Sequence, residues 1–491
     1  MPIYFIYGIL FETTESIILN FRYIYTLLWA GAALFFYFRL RSFSKSGASF
    51  ASLTFLLYAP YGIMALSYNS LGILMLLNAC IIVSTAEHYQ KLQYFISGVF
   101  YAAAVICCPY LAILYLLLSF YVLINLITKR YHKLKEKWIC LTAGIMFLAA
   151  LFIVFILSRA EITEIIRNLP FILNDPEHSS ISFTNKMSLY FSSVFHATSV
   201  SPYFWITAIS AIIISMIFKR ATDCCFLTIC WITILYLLDF DINNPYLNFV
   251  MLPLCIPGIF AAIHSNDKRV HILSKWILIP GIIFTFCLNF TSNQQIYSIS
   301  SAAAVTNIAC IMILVIYVTQ SEIFSSDQIR KKIIVSITIL FFVQFISETA
   351  LRFNSVFWEK GMEEQIVYAE KGPEKGIRMT KEKLEYYTFM TKDIEPIKSD
   401  QNIKQVLFLI NDPLLYLISE KGIASYSPWL PVSSDTIHKN DEYFHLYPDK
   451  IPDAVYIPRE NEIYLSHFTD MGFSSIDVTD EGNFILLREN Q

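Results

Sequence analysis

The sequence predicts a polytopic α-helical membrane protein of about twelve spans with a small extracytoplasmic α/β domain at its C-terminal end. Three observations lead there. The chain of 491 residues is 56% hydrophobic and 15% charged, and its mean hydropathy is +0.52, a balance too poor in charge for an ordinary soluble surface. Apolar runs of roughly 17–25 residues, the length of a helix that crosses a bilayer, recur between residues 21 and 350. Charge is divided as well. Residues 352–491 hold 15 Lys and Arg against 24 Asp and Glu, a net of -9, whereas the remainder holds 21 against 15, a net of +6. A multi-span membrane domain is therefore expected over 1–351 and a separate acidic domain over 352–491. Nothing in this charge pattern suggests a nucleic-acid partner; membrane lipid is the expected surroundings.

All ten cysteines lie in or beside apolar runs, and the acidic domain has none. That excludes a disulfide framework, and no Cys pair at metal spacing is flanked by His, so a thiolate zinc site is not expected either. Soft packing residues account for them.

In chain order, residues 1–20 lack both a basic leader and a small-residue cleavage site, and Glu12-Thr13-Thr14-Glu15 interrupts their apolar character. They read as an interfacial helix and turn. Spans are expected near 21–38, 50–67, 70–86, 93–107, 110–128, 138–157, 203–218, 224–239, 246–263, 273–291, 299–319 and 332–350. The fourth and fifth read either as one bent helix or, because together they exceed a single crossing, as two helices with a tight turn at Pro109. Between 56 and 77, two apolar runs flank Tyr68-Asn69-Ser70, which is expected to turn at a membrane surface. The stretch 158–202 is longer than a connection requires. Its spacing of Ile162, Ile165, Ile166 and Leu169, then Met187, Tyr190, Phe191 and Val194, predicts two short amphipathic helices on the membrane surface.

Alternate loops carry the basic residues. Those at 39–45, Lys91, 129–137, 219–220, 268–275 and 330–332 hold 17 Lys and Arg, while the intervening loops hold Arg159, Arg167 and Lys186, with Arg22 at the end of the first span. By the positive-inside rule the first set is cytoplasmic, which puts the Tyr68 turn, both termini and the acidic domain outside an inner (plasma) membrane. An outside start with no preceding span leads to the further expectation that a longer parent carries one more span ahead of Met1.

Within the acidic domain, Val406-Leu407-Phe408-Leu409-Ile410 and 453–458 read as buried strands, each followed by a helix (414–421 and 462–471) that stops at Gly422 or Gly472. Residues 484–487 close a hairpin with 476–478. No glycine-rich phosphate loop follows the first strand, so a nucleotide site is not expected.

Thr13–Trp29, the basic turn Arg39-Leu40-Arg41, the hairpin ending Ser67-Tyr68-Asn69-Ser70-Leu71-Gly72, and Gly98–Leu118 around Pro109 resemble consecutive parts of GT-C fold integral-membrane glycosyltransferases. The resemblance is to the bacterial protein mannosyltransferase and aminoarabinose transferase superfamily and rests chiefly on residues 8–118. It implies transfer of a sugar from a polyprenyl-phosphate donor to an acceptor at the outer face. It further implies that the family's first span and its outer loop with the catalytic acids stand upstream of Met1, leaving this chain without them.

Such chemistry needs a cation for the carrier phosphate, a base, and polar groups for the sugar. Arg22 is the candidate for phosphate, or a snorkelling anchor. Tyr68 and Asn69 are candidates for donor binding, or simple turn formers. Asp239 and Asp241 are candidates for a base or for holding a divalent metal, the only cofactor considered, or solvated loop acids. Glu12 and Glu15 border the site or favour a helix N-terminus. His178, Lys186 and His196 in the long loop suggest no ligand set. A transporter or flippase for a lipid-linked saccharide, and a noncatalytic scaffold displaying the acidic domain, are the competing readings. Charge parity makes a direct prediction: in intact cells, a cysteine placed at Ser434 reacts with an impermeant maleimide and one at Leu134 does not. The opposite labelling pattern overturns the topology.

Overall fold

The computed structural model describes residues 14–59, 63–86, 89–128, 132–173, 182–199, 201–239, 251–291, 296–320, 324–354, 359–429, 432–479 and 482–488. It is mostly helical, with a small sheet near the C-terminus. Two compact units emerge. One joins residues 22–162 to 181–362, and the other gathers 1–21, 163–180 and 363–491. The expected division at 352 is thus drawn differently, because two distant segments pack with the C-terminal sheet.

In the larger unit the helices are α1 (Ile17–Leu40), α2 (Lys45–Leu57), α3 (Tyr68–Ser84), α4 (Gln90–Cys107), α5 (Ala112–Ile127), α6 (His132–Leu157), α7 (Ile162–Leu173), α8 (Phe183–Ser199), α9 (Pro202–Ile217), α10 (Thr222–Leu238), α11 (Met251–His264), α12 (Lys268–Leu273), α13 (Ile279–Thr291), α14 (Ile296–Thr319) and α15 (Asp327–Asn354), of which most of α7 and the first turn of α1 belong to the other unit. Among the described residues, seven stretches are long and apolar enough to cross a membrane: Ile17–Leu40, Pro109–Ile127, Leu134–Leu157, Lys219–Leu238, Lys268–Thr291, Ala302–Thr319 and Asp327–Asn354. Helices α2, α3, α4, α9 and α11 stand where the other five spans are expected and run 13 to 18 residues.

Local sequence sets bounds of α2, α3 and α4. Helix α2 begins where the Ser44 side chain accepts a bond from the Gly47 amide, and it stops at Tyr58, whose ψ of 136° is extended. Tyr68, Asn69 and Ser70, expected as a turn, form the first turn of α3 instead. Ser67 and Ser70 cap each other reciprocally, Ser70 N–H to Ser67 Oγ at 3.1 Å and Ser67 N–H to Ser70 Oγ at 2.9 Å. Between α4 and α5 the chain turns at Cys108-Pro109. Fourteen residues of continuous helix would hold Tyr101 and Tyr115 about 21 Å apart, yet their ring centroids lie 6.5 Å apart, so the chain doubles back. The Tyr101 hydroxyl donates to Leu111 O at 2.5 Å and accepts from Tyr115 N–H at 2.9 Å, which satisfies backbone groups at the turn.

Close helix approach is set by small residues. A Cβ on Gly98 of α4 would lie 2.1 Å from Leu141 O, and one on Gly144 of α6 would lie 2.0 Å from Phe95 O. The two glycines thus let the backbones of α4 and α6 touch. The basic loops converge through their own contacts. Arg39 Nε donates to Thr85 Oγ1 at 2.9 Å, Arg269 Nη1 to Phe43 O at 3.0 Å, and Ser325 Oγ to Asp223 Oδ2 at 2.6 Å. Asp267, beside Arg269, is held below the usual carboxylate range by hydrogen bonds from that guanidinium.

The smaller unit contains β1 (Val367–Tyr368) and β2 (Arg378–Met379) as one ribbon, then α16 (Lys381–Asp393), α17 (Glu395–Ser399), β3 (Gln405–Phe408), α18 (Leu414–Ser419), β4 (Gly422–Ile423), α19 (Ser434–Leu446), β5 (Ala454–Ile457), α20 (Leu465–Asp470), β6 (Phe473–Val478) and β7 (Phe484–Arg488). The main sheet has the order β4-β3-β5-β7-β6; β3 is parallel to β4 and β5, while β7 is antiparallel to both β5 and β6. Strands β3 and β5 are apolar on both faces because both are covered. Val406, Phe408, Ala454 and Tyr456 meet Met390 and Ile394 on one side, and Leu407, Leu409, Val455 and Ile457 meet Phe444 and Phe468 on the other. The sheet carries the hairpin expected at 476–478 and 484–487, with β6 beginning earlier, at Phe473.

Helix α7 shows its expected amphipathic character, and its inner face rests on this unit. Asn168 Nδ2 donates to Tyr447 Oη at 3.0 Å, and Phe171 meets Tyr426 and Tyr443 with ring centroids 5.9 and 5.7 Å apart. Its Ile162, Ile166 and Leu169 remain exposed. Replacing Gly98 or Gly144 by Leu should force α4 from α6 at a cost of about 1–3 kcal/mol or more, read as a lowered melting temperature in detergent. A melt unchanged from wild type removes the close approach from the account of this fold.

Candidate functional site

Helix α1 aligns Arg22, Tyr25 and Trp29 on one face by their spacing of three and four. Trp29 anchors this face to α2: its indole N–H donates to Phe55 O at 2.9 Å, and its ring stacks between Tyr25 at 5.0 Å and Phe55 at 4.3 Å, with Tyr58 at 6.5 Å. Three aromatic side chains and a tryptophan thus make a rigid wall.

Helix α15 supplies the charge. Its buried stripe runs from Ile337, Leu340 and Phe341 into Gln344, Ser347, Glu348 and Leu351, so the same face that packs apolar in its middle turns polar near its end. Half-buried Arg352 donates from Nε to the carbonyl of Leu57, the last residue of α2, and Tyr25, Glu348 and Tyr58 surround its guanidinium. A helix C-terminus carries partial negative charge and unpaired carbonyls, so a guanidinium there is favourable on both counts. Glu348, one turn back, is 5% exposed, and its Oε1 accepts from Gln344 Nε2 at 2.5 Å. Its Oε2 and the Gln344 Oε1 have no hydrogen-bond partner among the described residues. An ionised carboxylate buried alone costs several kcal/mol, which a neighbouring guanidinium offsets only in part. The cluster is therefore costly to keep and chemically equipped, with a cation for an anionic group, an acid with an open oxygen, and the tyrosines Tyr25 and Tyr58 beside the cation.

Half-buried Arg22, the residue chosen for phosphate, precedes Tyr25 by three residues on α1; its Nε is buried, and Thr26 Oγ1 donates to its carbonyl at 2.9 Å. Tyr68 and Asn69 open α3, with Tyr68 exposed and its carbonyl accepting from Cys108 Sγ at 3.7 Å. Asp239 closes α10 and is exposed. Glu15 belongs to the smaller unit, where it pairs with Lys375 at 3.0 Å. Lys186 donates to Thr291 O at 3.4 Å. Glu12, Asp241 and His178 lie outside the described residues, as does the His196 side chain. Among the described residues no three His, Cys, Asp or Glu side chains gather as metal ligands.

Glu348, Arg352 and Gln344 are the residues that sequence reasoning missed. Their signal was present: Gln344, Glu348 and Arg352 recur at fours at the end of the last apolar run, one face of a helix. Taking 352 as the start of a separate domain hid it. The smaller unit has a polar cluster too, but a closed one. Tyr456 donates to Asp393 Oδ2 at 2.5 Å, and Asn483 Nδ2 lies 2.9 Å from both, so each donor is used within the core. Nearby, burial and then Asp412 push the Tyr386 phenol up to about 12.

Comparison of the chain with protein families, with curated proteins and with solved structures finds no match. Arg352→Ala is expected to cost about 1.5–3 kcal/mol, the loss of a charged hydrogen bond, and Arg352→Lys less. Thermal melts of the purified protein test this ordering, and equal melts for both variants contradict the capping role of the guanidinium.

Proposed function

We propose that this chain is a plasma (inner) membrane protein of about twelve spans, with its Arg22–Arg352 end and C-terminal domain outside, that transfers a sugar from a polyprenyl-phosphate donor to an acceptor. The reading is of a GT-C-like glycosyltransferase. The observation that carries it is the cluster around Arg352, where the guanidinium meets the end of α2 beside Tyr25, Tyr58 and Glu348, with Arg22 one turn before Tyr25 on α1. A carrier phosphate arriving at the headgroup level needs a cation held against a low-dielectric wall, and guanidinium groups bind phosphate through paired N–H bonds. Arg22 and Arg352 fill that role here. Tyr25 and Tyr58 offer hydroxyls and ring faces to the sugar, and the open oxygen of Glu348 is the acceptor for a proton from the attacking hydroxyl. Tyr68 and Asn69 remain donor-binding candidates at the start of α3.

One observation favours a second reading, translocation of the lipid-linked saccharide without transfer. A carboxylate buried inside a membrane-length helix, as Glu348 is, is the kind of group on which proton-coupled transporters depend. Proteoliposomes loaded with a radiolabelled polyprenyl-phosphate sugar and an acceptor mixture separate the two. Transfer is expected in wild type, with carrier binding weakened about 10- to 150-fold by Arg22→Ala or Arg352→Ala, the worth of a charged hydrogen bond. Movement of intact labelled carrier across the bilayer establishes the second reading instead. Wild-type transfer in both variants refutes the phosphate assignment.

A further inference from the structure

Away from the arginine cluster, the larger unit contains a groove of about 360 Å³ between α3, α4, α5, α6 and the segment joining α12 to α13. Leu76, Val83, Leu118, Leu141, Ile279 and Ile283 line its interior. Polar atoms in the wall are turned to protein partners: Ser97 Oγ donates to Ala79 O at 2.9 Å, Tyr101 to Leu111 O, and Tyr115 Oη pairs with Thr142 Oγ1 at 2.7 Å. An apolar cavity without polar partners does not hold water well. It calls for hydrocarbon.

Charge enters at the rim alone. Lys275 is exposed, its Nζ lies 4.6 Å from the Tyr121 ring centroid and 5.2 Å from that of Trp276, and among the described residues it has no carboxylate partner. Lys137 Nζ sits 5.4 Å from the Tyr94 ring, which meets Trp276 edge-on at 6.4 Å. Amphipathic rings gathered with lysines at one level mark the headgroup region of a membrane. The helix is also deformed here. Ser274–Leu278 is a π-turn in which Ile279 N–H reaches back five residues to Ser274 O, next to Pro280, which has no N–H to give. Single π-turns inside longer helices gather at functional positions.

We propose that this groove holds one acyl chain of an anionic glycerophospholipid, with its phosphate on Lys275. The volume lies at the low end of ligand pockets, roughly 300–1,000 Å³, which suits part of one chain with the headgroup left at the rim. Charge complementarity selects an anionic headgroup over a zwitterionic one. The site is separate from the arginine cluster and does not rest on the transferase reading.

Native mass spectrometry of the detergent-solubilised full chain tests it, with phosphatidylglycerol, phosphatidylcholine, a polyprenyl phosphate and inorganic phosphate as probes. Phosphatidylglycerol is expected to bind best, Lys275→Gln to weaken it about fivefold, the worth of one basic residue near a membrane surface, and Ile283→Trp to abolish it by filling the groove. A phosphatidylglycerol with brominated chains should quench the fluorescence of wild type more than that of Trp276→Phe. Equal binding of the two glycerophospholipids, preference for the polyprenyl phosphate, binding of inorganic phosphate alone, or insensitivity to Lys275→Gln each overturns the proposal. Should Ile283→Trp fail to fold, the bromine quenching decides: no difference between wild type and Trp276→Phe places the chain elsewhere.

Discussion

From Ala302 to Tyr317 helix α14 has no face for solvent or lipid, and the larger unit is built around that constraint. Every residue over that stretch is buried, and α2, α11, α13 and α15 are among the helices that contact this helix. A helix apolar all round has to be enclosed on all sides. Close enclosure in turn requires small residues. Gly258 of α11 faces Cys310, where a Cβ would lie 2.2 Å from the cysteine Cβ, and Gly281 of α13 faces the backbone of Thr306 at 2.7 Å. Cysteine serves here as a small apolar residue: Cys310 and Cys255 are both buried and free.

The two ends of this bundle manage charge differently. Where the basic loops meet, most charges stay in water and their pairs are exposed, as in Lys91 with Glu136 at 3.6 Å and Lys331 with Asp327 at 3.3 Å; such pairs contribute little to stability. At the other end Glu348 is buried and Arg352 half-buried, and the guanidinium is tied to the end of α2. A protein gains no stability from enclosing a carboxylate with an open oxygen when a leucine would pack as well. Its presence is better explained by chemistry than by folding, and for that reason the functional reading rests there and not on the exposed Asp239.

The smaller unit follows a different logic. Its strands β3 and β5 need helices on both faces, and five short helices of the C-terminal region supply most of that cover. Ile18 and Leu19 add to one face from far away in sequence, and Phe171 of α7 rests against Tyr426 and Tyr443 near the other. Compactness here therefore depends on segments that composition assigns to the membrane domain. The enclosed Asp393, Tyr456 and Asn483 triad fastens the end of α16 to β5 and to the start of β7.

Local pattern by itself determined a good deal: the apolar runs that became helices α1, α5, α6, α10 and α15, the turn at Pro109, the amphipathic α7, the presence of a helix at α8, and strands β3, β5 and β7. Each follows from residue periodicity or from proline geometry, which act over a few positions. Helix α16, with its Thr380 cap, and α19, with its Ser433–Thr436 capping box, were legible in principle, but neither carries a strong apolar period. Arg22 was readable as a cation at a helix end. Only the tertiary structure decided what surrounds Arg352, which meets Leu57 across nearly 300 residues of chain with nothing local to relate them. The groove at Lys275 is of the same kind, formed by helices that are apolar for many reasons and hollow only where they fail to fill the space between them. Periodicity states that a face is buried; what it is buried against is a property of the packed chain.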